Sequence, residues 1–88
     1  MDRELAIVLA TNWSNRQFGK VGDVLYAIEL QDNSIGRGVV ERSGLNMSQV
    51  EHLWGTWFVG FERLGVRTAV DVAVNPNTRH VCLQSELA

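Results

Sequence analysis

Residues 46–65, NMSQVEHLWGTWFVGFERLG, hold two Trp, two Phe and three Gly in twenty positions, and the fold turns on how this stretch is read. At 100° per residue, Met47, Val50, Leu53, Trp54, Trp57, Phe58, Phe61 and Leu64 fall within an arc of roughly 140°, which predicts an amphipathic helix over 47–64, ~27 Å long. Asn46 with Gln49 three residues on has the form of a capping box, Leu45 and Val50 the positions of a hydrophobic staple, and Gly65 that of a left-handed C-cap. Ser48 with Glu51 is a second, overlapping capping signal. An aromatic stripe at helical spacing belongs to a core, so both tryptophans are expected on the inner seam of this helix. His52, Thr56, Val59 and Arg63 are expected outside.

Working outward, 35–42 (IGRGVVER) reads as a strand returning from 24–31 (VLYAIELQ), whose alternation of Val24, Tyr26, Ile28 and Leu30 against Leu25, Ala27, Glu29 and Gln31 has a period of two. Asp32, Asn33 and Ser34 between them are turn formers. Downstream, 67–74 (RTAVDVAV) is a strand with Val70, Val72 and Val74 on one face. Pro76 sets a turn in NPNT, 79–84 (RHVCLQ) returns as a last strand, and SELA frays. Upstream, 4–10 (ELAIVLA) suits a strand buried on both sides, with a short helix capped by Asp2 as the competing reading. Residues 11–23 form a loop or bent hairpin connection.

The expected fold is therefore α+β, a single domain over 1–88. A four- to five-stranded antiparallel or mixed sheet carries one long helix on one face, in the order βββαββ. In one assignment of faces the small residues (Ala27, Gly36, Gly38, Ala69, Ala73) receive the tryptophans, and Tyr26, Ile28, Leu30, Val70, Val72 and Val74 form an apolar face open to a partner. The opposite assignment fits the sequence equally well.

Composition narrows the function by exclusion. The net charge is −2, with Lys and Arg scattered singly among acids, so no basic stripe exists to neutralise a phosphate backbone and direct nucleic-acid binding is disfavoured. One cysteine, Cys82, rules out an internal disulfide and suits a reducing compartment. MDRELAIVLA lacks a basic leader, and its six apolar residues fall far short of the roughly 20 that span a bilayer; a cytoplasmic location is the expectation.

Catalytic and metal chemistry find little footing. His80 and Cys82 alternate on one strand, but no spacing brings His52 or another ligand to them, so neither a metal nor a cofactor is expected. Ser14, His52 and Asp71 have no nucleophile elbow to make them a triad, and GKVGD at 19–23 lacks the spacing of a phosphate loop. Trp13 and Phe18 stand as either staples of a sheet edge or anchors for a partner, with Arg16 and Lys20 beside them. Together with the acidic set Glu29, Glu51 and Glu62 they are the candidate partner-binding residues; Asp32 and Glu41 extend that acidic set.

The order of three strands, a helix and a strand over roughly residues 4–76 resembles the first part of the ribonuclease H-like fold. That family holds two metal ions between carboxylates, and Glu51 in SQVEHL matches its helix position. The first strand ends in Ala10, Thr11 and Asn12 and the fourth in Val74 and Asn75, so two of the three carboxylates are missing. Asp71 sits too early to replace one. The resemblance implies a reduced metal-dependent nuclease using Glu51 and Asp71 as the alternative function. The preferred expectation is a non-enzymatic protein-binding module, an inhibitor or adaptor acting on a larger, nucleic-acid-handling complex, with homodimerisation open. In its size, acidity and paucity of cysteine the chain is similar to phage-encoded anti-defence and anti-CRISPR proteins. A third reading makes it a subunit of a larger assembly.

Overall fold

A computed structural model describes residues 1–65 and 68–87. The expected strand start at Arg67 and the last residue of the C-terminal SELA lie outside this range.

The chain opens with a helix, α1 (Arg3–Phe18), where a strand and a loop were expected. The competing signal decides it: the Asp2 carboxylate accepts the Leu5 amide at 2.8 Å, and Gly19, at φ 76°, ends the helix. Its buried face is a stripe of small residues four apart, Ala6, Ala10 and Ser14. Larger apolar residues flank the stripe on both sides, which is why the segment looks apolar all round. After β1 (Val24–Glu29) comes a second helix, α2 (Ser34–Arg42), in place of the expected return strand. Asn33 caps it by accepting the Gly36 amide at 2.9 Å, so the turn residues start a helix instead of closing a hairpin. Gly36, Val39 and Val40 are its buried face, at helical spacing.

The opening stretch divides. Asn46 and Gln49 form the reciprocal capping box, with bonds of 3.1 and 3.2 Å, but the helix they start, α3 (Met47–Val50), continues only into a single 3₁₀ turn, Glu51–Leu53. Gly55 takes φ 94°, and the chain leaves as β2 (Trp57–Glu62), so the long helix is corrected to a short helical turn and a strand. The cause is local composition. A run of aromatic and β-branched residues satisfies the strand period as well as the helical one, and a central strand buries both its sides. Gly65, at φ 77°, serves a turn between strands and not a helix end. β3 (Ala69–Val74) and β4 (Val81–Leu83) follow, joined by the expected turn, in which the Asn75 side chain accepts the Asn77 and Thr78 amides at 2.8 and 3.1 Å.

The fold is thus α+β with a four-stranded antiparallel sheet in the order β1-β2-β3-β4 and three helices, against the expected βββαββ. With it goes the run of three strands, helix and strand on which the ribonuclease H resemblance rested. Helical segments lie on both faces of the sheet. Under α1 pack Ala27, Trp57, Val59, Phe61, Val70 and Val72. On the other face Leu30, Val39, Val40, Val50, Phe58 and Ala73 form a second core with α2 and α3. The two tryptophans expected on one seam are separated, Trp57 in the first core and Trp54 against the second. Val72, on an open face in one of the two assignments the sequence allowed, is fully buried beneath α1. Among the described residues no helix is long and apolar enough to cross a membrane.

Candidate functional site

The second face is only partly covered. The strand register sets Tyr26, Gly60 and Asp71 side by side in one row across β1, β2 and β3. Gly60 decides what this row does. A Cβ there would lie 2.2 Å from a carbon of the Tyr26 ring, so only glycine lets the ring lie flat over the central strand. Spanning β2 in this way, the Tyr26 hydroxyl donates to an Asp71 carboxylate oxygen at 2.6 Å.

Gln84 completes the arrangement from the C-terminal 3₁₀ turn, Gln84–Leu87. Its amide donates to the Tyr26 hydroxyl oxygen at 2.9 Å and to the Val72 carbonyl at 3.1 Å, and its carbonyl accepts Ser43 at 3.4 Å. Segments from β1, β3, the end of α2 and the C-terminus are thereby tied together. The Tyr26 hydroxyl is driven well above its ordinary pKa, first by burial and then by donation to Asp71; the Gln84 amide pulls the other way. It stays protonated at every physiological pH, and as a proton donor it locks one Asp71 oxygen.

Over this floor lies an open trough of about 780 Å³. Ile28 and Val39 give it an apolar lining, and Ile35 on α2 stands at its rim with 71% of its surface exposed; Val70 and Leu83 border it from strands whose side chains there pack into the first core. Phe18 closes the far end, with the Arg63 guanidinium 5.5 Å from its ring centre, a cation–π arrangement. Arg42 lines the trough from the last turn of α2, its guanidinium resting against Gly38, where an added Cβ would lie 3.5 Å from the nearest nitrogen.

Of the residues singled out in the sequence, Phe18 alone of the partner-binding set lines this trough. Trp13 packs half-buried against the first core and meets Phe18 edge to face at 6.1 Å. Both belong to α1 and not to a loop; Trp13 is half-buried and Phe18 exposed. Arg16 and Lys20 are exposed at the end of α1 and just beyond it, Glu29 at the end of β1, Glu51 in the 3₁₀ turn and Glu62 at the end of β2. Glu51 does not line the trough that Asp71 enters, and among the described residues no three His, Cys, Asp or Glu side chains gather as a metal site. His80 is exposed, and the half-buried Cys82 thiol is held above its ordinary pKa by burial and by the charge of Glu86.

Ile35, Arg42 and Gln84 were not among the sequence candidates, and Tyr26 entered only as one member of an apolar strand face in one of two assignments. The signal that could have found Tyr26 is Gly60 inside an otherwise bulky run, since a glycine in a central strand invites an aromatic side chain to cover it. Comparison of the chain with family models, with curated proteins and with solved structures yields no match.

Proposed function

We propose that the chain is a non-enzymatic protein-binding module, a small inhibitor or adaptor, and that its partner docks in the trough on the second sheet face. The observation that carries this reading is the trough itself: an apolar lining on strands and a helix, with an exposed isoleucine at its rim and a floor braced by Tyr26, Asp71 and Gln84. Rigid elements preorganise such a surface and lower the ordering cost of binding. An exposed isoleucine gives the fold no burial energy, and contact with a partner would gain it. The acidic residues Glu29, Glu51 and Glu62 lie outside the trough and take no part in it.

Site-specific photo-crosslinking tests it. A benzophenone side chain in place of Ile35 is expected to capture a partner from the cell in which the chain acts. The same group in place of Val8, 53% exposed on α1, is expected to capture none. The Ile35→Asp variant should keep its melting temperature and abolish capture at a second trough position, Ser85. Equal capture from Val8 and Ile35 would sink the proposal, and an adduct of the chain with itself would make the partner a second copy.

A further inference from the structure

The trough is cationic although the chain is acidic. Of its lining side chains, Arg42 and Arg63 carry positive charge and Asp71 alone is acidic. One Asp71 oxygen is already taken by the Tyr26 hydroxyl. Among the described residues one ion pair lies within 4.0 Å, Arg37 with Asp32, and it is elsewhere on the surface; neither trough arginine has a carboxylate at that distance. Each arginine is nevertheless positioned, Arg63 over the Phe18 ring and Arg42 against Gly38. They come from different elements, α2 and the segment after β2, with the apolar strip of Ile28, Ile35 and Val39 among the lining they share.

We infer that the occupant of the trough is an acidic, apolar peptide segment, with aliphatic or aromatic side chains on the apolar strip and carboxylates under Arg42 and Arg63. The inference rests on the docking reading above and gives the partner its chemistry. A guanidinium holds a carboxylate through paired, charge-assisted hydrogen bonds. Basic segments are turned away by the same two charges, which makes the trough selective as well as sticky. A nucleic acid strand would find two cations and an acidic Asp71 beside the Phe18 and Tyr26 rings, where recognition of single strands calls for a positively charged groove that tracks the backbone.

The test is selection from a library of random twelve-residue peptides displayed on phage, with the folded full chain as bait, followed by fluorescence anisotropy on the synthetic winners. The expected winners carry Asp or Glu between Leu, Ile or Phe. Their affinity should fall at least tenfold in the double variant Arg42→Glu, Arg63→Glu, survive Arg42→Lys with a smaller loss, and fall in Ile35→Asp. Both arginines are exposed, and circular dichroism melts of each variant confirm the fold. Winners that need Ile35 but are neutral or basic, or that ignore the charge reversal, overturn the charge inference and leave the docking reading standing. Winners indifferent to Ile35→Asp, or no winners, remove the docking reading and this inference with it. Displacement of the winners by a single-stranded oligonucleotide that binds more tightly would assign the arginines to phosphate instead.

Discussion

The two faces of one sheet have been built by opposite rules. Beneath α1 every row is closed: Ala27, Val59 and Val72 pair across three strands, and the small stripe Ala6, Ala10 and Ser14 lets the helix settle close onto them. One polar atom is sealed there, the Ser14 hydroxyl, which has no hydrogen-bond partner. The opposite face is covered by α2 and α3 over one end only, and its other end is a glycine beneath a tyrosine ring whose hydroxyl donates to an exposed aspartate. A face made of aliphatic volume can only hold the fold together. A face whose middle strand gives up its side chain can hold something else.

The largest expected effect breaks the closed face. Val72→Asp places a carboxylate with no partner under α1 and is expected to cost at least about 4 kcal/mol, which in a chain of this size leaves little folded protein. A urea titration followed by circular dichroism reads it. A soluble, cooperatively folding Val72→Asp variant would mean that the two faces are less different than described.

Next in size, Gly60→Ala attacks the open face. Its methyl group cannot coexist with the Tyr26 ring, so the ring must leave and give up its bonds to Asp71 and Gln84, at a cost of about 2–3 kcal/mol. In a Tyr26→Ala background the same substitution should cost much less, and that coupling is the measurement. Full additivity would show that the glycine is needed for something other than the ring.

The smallest effect sharpens the comparison by pH. Tyr26→Phe removes the hydroxyl but keeps the ring, an expected loss of about 1 kcal/mol at neutral pH. In the wild type, the folded phenol holds its proton above the ordinary pKa of about 10, where the unfolded chain has released it. The unfolded state then binds fewer protons, so stability falls as pH rises through and beyond about 10. Tyr26→Phe should flatten that fall. Tyr26 is the one tyrosine in the chain, so the ultraviolet absorbance of its phenolate follows the same titration directly. Equal alkaline slopes in the two proteins would separate the hydroxyl from the stability of the open face.

How much of this was legible in the sequence depends on whether a residue's neighbours or its distant partners decide it. β1, β3, the NPNT turn and the Asn46 cap were readable because two-residue alternation and capping oxygens act within a few residues. The segment 57–61, WFVGF, was not, since an apolar run satisfies both periods and the choice is made by β1 and β3 on either side. α1 was misread for a related reason: its inner face is alanine and serine, so its hydrophobic residues do not mark the side that is buried. In α2 the buried Gly36, Val39 and Val40 fit the helix, but Gly36 and Gly38 lower its propensity and made a strand look the better choice. The trough was the least legible part, because Tyr26 and Asp71 are 45 positions apart and Tyr26 and Gln84 are 58. Phe18 could be singled out as an aromatic with basic neighbours, but its place in the lining of the trough follows from the fold alone.

That spacing has a consequence for how the chain would be read by another molecule. The trough takes residues from Phe18 to Ser85, and no short fragment contains it. An occupant that recognises the trough therefore binds the folded chain and ignores the unfolded one, and each decade of ligand above its dissociation constant adds about 1.4 kcal/mol to the folded state. Proteolysis anywhere between α1 and the Gln84 turn would disarm the surface along with the fold. The protein, on this account, advertises its own integrity: it is presented to a partner whole or not at all.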